Sequence, residues 1–147
     1  MDDVDRQIIA HLRFHGRDSY RQLAAKLQLH PSTVIKRVQR MEKDGLLTCF
    51  GANVDYLKMG YEFMALVDIR ATKGRIPDVS EKLRHHAGVA AVWDITGQED
   101  MVALIVCKTR AEFNRVIKHL GAIPHVERTI THVILDVIKN EWEFVPQ

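Results

Sequence analysis

Val4, Ile8 and Leu12 recur at intervals of four with Ile9 beside them, a spacing that lays one apolar stripe along a helix over about residues 3–15. Asp2, Asp3 and Asp5 stand at its start, where the helix dipole favours negative charge, and Gly16 ends it. Ser19 and Gln22 form a capping-box pattern ahead of Leu23, Ala24 and Leu27, which predicts a second helix over about residues 20–27. Only Gln28, Leu29 and His30 separate this from Pro31, a residue suited to a first helical position. Val34, Val38 and Met41 then recur at helical spacing and Gly45 follows as a C-terminal cap, so a third helix is expected to about Asp44.

Past Gly45 the texture changes. LLTCFGANVD reads as a strand-like stretch, YLKMGYE has no long period, and a boundary is expected between about Val54 and Gly60. Beyond it, FMALVDIRA, AAVWDIT, MVALIVC and TITHVILDVIK are rich in β-branched and apolar residues, as strands are. Two helical patterns interleave them: Ile76, Val79 and Leu83 in a segment opening at Pro77, and Phe113, Val116, Ile117 and Leu120. The order is βαββαβ, the ferredoxin-like unit, in which both helices pack on one face of an antiparallel sheet. Met64, Trp93 and Met101 are expected on the opposite face, which favours a partner surface there over open water. The expected class is α+β: a helix-turn-helix at residues 1–50, a linker at residues 51–60 and a ferredoxin-like domain at residues 61–147.

The third helix offers two faces. At about 100° per residue Val34, Val38 and Met41 fall within about 40° of one another. Ser32, Lys36, Gln39 and Lys43 fall opposite, Thr33 and Arg40 lie on one shoulder, and Arg37 sits nearer the core edge. Ser, Thr and Gln can bond base edges or phosphates, while Lys and Arg neutralise phosphate and can read guanine. Any soluble helix has a polar outer face, so this pattern alone is compatible with a solvated bundle. The charge distribution adds to it: up to Phe50 the chain has nine Lys and Arg against six Asp and Glu, and afterwards twelve against thirteen. The cationic excess falls on the part that would meet a polyanion.

With 147 residues, 46% hydrophobic and 27% charged, the chain has the composition of an ordinary folded protein. No apolar run approaches a membrane span, and the acidic MDDVDRQ lacks the form of a secretory leader, so a cytoplasmic location is expected. Cys49 and Cys107 stand apart and read as buried small apolar residues, not as a disulfide or a metal pair. His11 and His15, spaced by four, and the adjacent His85 and His86 lack a third ligand nearby in sequence, so no metal site is assigned. There is no GxSxG, no cysteine in a reactive context and no phosphate-binding glycine loop. No cofactor is expected. Gly97 to Asp100 connect the two middle strands, and taken alone they read as a plain hairpin turn.

VDRQIIAHL, RQLAAKLQLHPSTVIKRVQRMEKDGLL, GANVDYLKMGY, AGVAAVWDITGQEDM and ERTITHVI, in this order, resemble the leucine-responsive regulator/asparagine regulator (Lrp/AsnC, feast-or-famine) family of transcription factors. The similarity runs over nearly the whole chain. Its most specific elements are Asp5-Arg6, the Val34–Gly45 stretch with Arg37, and the turn Gly97-Gln98-Glu99-Asp100. The resemblance implies a winged helix-turn-helix that reads double-stranded DNA, a linker strand, and a ferredoxin-like domain that forms homodimers and binds small effectors, often amino acids. Family dimers gather into tetramers, octamers or larger assemblies. DNA contact is then expected from Ser32, Thr33, Lys36, Arg37, Gln39, Arg40 and Lys43, on a pseudo-palindromic site.

The resemblance also makes Gly97, Gln98 and Asp100 effector-site candidates, with Asp100 accepting an effector's ammonium and backbone amides near Gly97 donating to its carboxylate. Thr129 and Thr131 match the family's Thr-x-Thr. The chain departs from the family in placing His30-Pro31 where the third helix usually opens with a Ser cap. The alternative function is that of the tetrapyrrole (sirohaem-type) decarboxylases, which share the two-domain layout. The cationic third helix and the GQED turn weigh against it.

Overall fold

Three helices form where the apolar spacing puts them: α1 (Asp3–Phe14), α2 (Tyr20–Lys26) and α3 (Pro31–Lys43). They come from a computed structural model that describes residues 1–140, in which residues 1–54 and residues 55–137 gather into two units, each treated by itself below. Each helix has a local reason to start. Asp2 and Asp5 exchange backbone-to-carboxylate bonds of 3.0 Å at the start of α1, and for α2 the Gln22 N–H donates to the Ser19 hydroxyl at 3.3 Å and the Ser19 N–H to the Gln22 amide oxygen at 2.8 Å. For α3 the cap is His30, whose Nδ1 accepts the Ser32 N–H at 3.3 Å. Between α2 and α3 the chain turns through Gln28 at φ 56°, a left-handed conformation unusual for a residue with a Cβ. Ile8, Leu12, Leu23, Ala24, Val34, Val38 and Met41 close over one another as the core of this unit.

Residues 47–62 contain no strand, so the linker strand and the wing do not form a ladder among the described residues. A strand needs a neighbour to take its backbone bonds, and no described residue pairs with this stretch. Residues 55–60 instead make a turn in which Asp55 Oδ1 accepts the Lys58 N–H at 3.1 Å and Gly60 takes φ 83°. Cys49, expected to be buried, is exposed, lying in a stretch that no strand pairs with; Cys107 is buried.

The second unit follows the expected βαββαβ order: β1 (Phe63–Ala71), α4 (Ile76–Arg84), β2 (Val89–Asp94), β3 (Met101–Cys107), α5 (Arg110–Gly121) and β4 (Val126–Val133). The strands lie in the order β2-β3-β1-β4, all neighbours antiparallel. Ala65, Val67 and Ile69 pair with Ile105, Ala103 and Met101, and these residues pack with Val79, Leu83, Val116 and Leu120 of the two helices. Met101 is therefore a core residue, not an outward one. MVALIVC is apolar on both faces, so alternation within the strand cannot set its parity.

Met64 and Trp93, paired with Val106 and Val102, do lie on the face turned away from the helices. β4 ends at Val133, short of the expected run to Lys139. Its neighbour β1 begins at Phe63, so beyond the Ile134 N–H bond to the Met64 carbonyl there is no strand left to pair with.

Candidate nucleic-acid interface and effector turn

α3 buries Val34, Val38 and Met41 and exposes Ser32, Lys36, Gln39, Arg40 and Lys43, with Thr33 and Arg37 half-buried. All seven residues expected to contact DNA thus share one helix, five of them on its exposed face and Thr33 and Arg37 at its margins. Ile35, which the charge pattern overlooks, is exposed among them and offers an apolar group of the kind that meets a thymine methyl.

The two arginines are tied down from below. Arg37 Nη1 donates to both oxygens of Asp2 at 2.7 Å and to Asp5 Oδ1 at 2.9 Å, while Arg40 Nη2 donates to Asp5 Oδ2 at 2.5 Å. Asp5 is only 1% exposed. Burial pushes its carboxyl up, but the Asp2 N–H and the two guanidiniums outweigh this and hold it below its ordinary value. The Arg37 hydrogen bond, seconded by the Asp5 N–H, brings the Asp2 carboxyl down to about 2, and the same pairing raises Arg37. Lys36 and Lys43 make no ion pair among the described residues. The Asp2–Asp5 pair was unreadable as a partner of α3 because Asp5 and Arg40 lie 35 positions apart.

In the second unit, Gly97 takes φ 135°, which lets the chain reverse between β2 and β3. Three groups from outside the turn then hold it. Arg70 Nη2 donates to the Gln98 carbonyl, and Arg128 Nη2 donates to Glu99 Oε1. The β1–β4 register shifts after Arg70, where Glu127 of β4 is the extra residue, and the Ala71 N–H donates to Asp100 Oδ2 at 2.9 Å. Glu99 is 8% exposed, and its Oε2 has no hydrogen bond, with Arg70 Nε 4.0 Å away.

Thr129 and Thr131 pair with Ile69 and Val67, so their side chains face α5, whereas Arg70, Arg128 and the Glu99 carboxylate lie on the other face. One chain therefore gathers Gly97, Gln98 and Asp100 but not the two threonines. Asp100 commits its Oδ2 to the Ala71 N–H.

The histidines serve other ends. His11 Nε2 lies 2.7 Å from Asp18 Oδ2, and the His15 ring is 4.7 Å from that of His11. His86 Nδ1 accepts the Gly88 N–H at 3.0 Å, and burial followed by the nearby His119 lowers its pKa.

Residues 1–42 match the AsnC-type helix-turn-helix domain, and residues 64–143 match the Lrp/AsnC ligand binding domain. A helix-turn-helix-type transcriptional regulator of Pyrococcus furiosus, itself uncharacterised, is 32% identical over 99% of each chain. Among solved structures, Escherichia coli AsnC superposes with a TM-score of 0.88 over 95% of each chain at 23% identity. A transcriptional regulator of Neisseria meningitidis in complex with L-Met superposes at 0.89 over 95% of this chain and 93% of that one, at 20% identity. These last two likenesses concern the fold. The family and the relatives are transcriptional regulators, none a decarboxylase, and the decarboxylase alternative is dropped.

Proposed function

Because the chain belongs to the Lrp/AsnC family of DNA-binding transcriptional regulators, we propose that the outer half of α3 lies in the major groove and that the GQED turn answers to an amino acid or a related metabolite. The observation that carries the first part is the separation of faces on α3: three apolar residues fully inward, and two lysines without an ion pair among the described residues, with Ser32, Gln39 and Arg40, outward. Lys36 and Lys43 contact phosphate, and Thr33, Gln39, Arg37 and Arg40 set position and read bases. Two such helices in a homodimer, about one duplex turn apart, make the site pseudo-palindromic. Larger assemblies built from that dimer, and a cytoplasmic location, belong to the same reading. No helix of the described residues is long and apolar enough to cross a membrane.

Retardation of duplex DNA across a salt series tests it. Lys36→Ala is expected to lower the slope of log K against log salt by about one, as one phosphate contact is lost. Failure of the full-length protein to retard any duplex at low ionic strength defeats the reading. For the effector, the Asp100 carboxylate accepts an ammonium while amides near Gly97 bind a carboxylate. Calorimetry with a panel of amino acids is expected to find a ligand, and Asp100→Ala is expected to abolish its heat.

A further inference from the structure

From the geometry beneath α3 we infer that Asp5, assisted by Asp2, is a positioning residue for DNA recognition, acting through Arg40 and Arg37. This rests on the placement of α3 in the major groove and extends it to residues of α1 that touch no DNA. A free arginine on a helix surface samples many rotamers, and fixing it at the moment of binding costs side-chain entropy. Here that cost is met during folding. Asp5 spends one oxygen on Arg37 at 2.9 Å and the other on Arg40 at 2.5 Å, while the Asp2 N–H bonds the same Asp5 Oδ2 at 3.0 Å.

The anchor is buried, yet the Arg40 side chain remains 51% exposed. One corner of the guanidinium is fixed, and the remaining N–H groups project outward in a set direction. That is the form in which an arginine addresses the two acceptors of a guanine edge, since the planar fork must arrive in one orientation. Arg37 is held in the same way by both oxygens of Asp2.

Lys36 and Lys43 lack any such tether among the described residues, which suits a point charge following a phosphate. The helix thus divides its work: tethered arginines supply direction and untethered lysines supply salt-sensitive attraction.

The test uses the full chain and a duplex selected from a random pool, with affinity measured for every single-base-pair variant of that duplex. Arg40→Ala is expected to reduce the preference at particular base pairs by about tenfold. Asp5→Asn is expected to weaken the preference at those same base pairs and at any read by Arg37, and at the Arg40 base pairs the Asp5→Asn/Arg40→Ala double variant is expected to lose no more than Arg40→Ala alone. Asp2→Asn is expected to stand in the same relation to Arg37→Ala.

A merely structural role for Asp5 would lower affinity uniformly across all variants of the duplex. An Asp5→Asn protein that melts cooperatively and keeps every preference lost by Arg40→Ala overturns the inference while leaving α3 on the DNA. If Asp5→Asn does not melt cooperatively, the half-exposed Asp2 decides by the same comparison. If neither arginine variant changes any base preference, the assignment of those arginines to the duplex falls, and the inference with it.

Discussion

His132 Nε2 lies 2.9 Å from Asp68 Oδ2, joining β4 to β1 on the sheet face turned away from α4 and α5. Leu66 and Ile130, each 38% exposed, flank that pair, and Trp93 lies farther across the same face. Aromatic and branched groups left in water around one hydrogen-bonded pair fit a self-complementary surface, as a two-fold dimer requires. In a dimer built on this face, Leu66→Glu would bring a charge from each protomer into the seam. The variant is expected to sediment as a monomer with little change in melting temperature. Unchanged sedimentation would show that this face is not the interface.

Acid is expected to weaken the first unit. Asp2 is held to about 2; Asp5 is lowered despite its burial; and Asp18 is lowered by Lys26 first and His11 second. Each carboxyl titrates lower in the folded chain than in the unfolded one, where Asp has a pKa of about 3.9. Its stabilising contribution is therefore present above about pH 4 and is lost as pH falls toward 2. Urea unfolding followed by helical circular dichroism between pH 5 and 2 is expected to show a falling midpoint. A flat profile would mean that these pairs add nothing to stability.

Gly88 is a position where only hydrogen fits. A Cβ there would stand 2.7 Å from Val116 Cγ2, a nearly buried core methyl, and 3.4 Å from the His86 ring. Gly88→Ala is expected to cost about 1–3 kcal/mol in urea unfolding, the usual range for overpacking. Gly51→Ala, where the new methyl meets nothing within 4 Å, is expected to stay within about 0.5 kcal/mol of the parent. Adding Val116→Ala to Gly88→Ala is expected to give less than the sum of the two costs, because the collision is removed.

Gln28 spans the turn between α2 and α3 at φ 56°. A residue with a Cβ gives up about 1–2 kcal/mol in that region, and glycine loses about half of the benefit to its greater freedom when unfolded. Gln28→Gly is expected to stabilise the first unit by up to about 1 kcal/mol. A destabilised variant would imply that the Gln28 side chain does more than link two helices.

Much of this architecture is legible one residue at a time. Val34, Val38 and Met41 set the inward face of α3, Ser19 with Gln22 marks the start of α2, and the spacing of Val79 with Leu83 marks α4. These signals are local, with period or cap and consequence inside one turn of helix.

What escaped is of three kinds. Met101 was misplaced because β3 is apolar on both sides, so its parity is set by pairing with Ile69 and not by its own sequence. The Asp5–Arg40 and Glu99–Arg128 pairs join positions 35 and 29 apart, and no single-chain periodicity reports such a contact. A linker stretch with strand composition formed no strand among the described residues, since composition can favour an extended chain but cannot supply its neighbour.

The two cysteines differ in a way that gives the protein a chemical clock. Cys107 is fully enclosed in the sheet, with burial and then Glu112 raising its thiol, while Cys49 stands open to reagents. A thiol-specific reagent in excess is expected to consume Cys49 at once and Cys107 only when β3 is exposed. The slow phase then measures how often the second unit opens, with no label introduced and no residue changed.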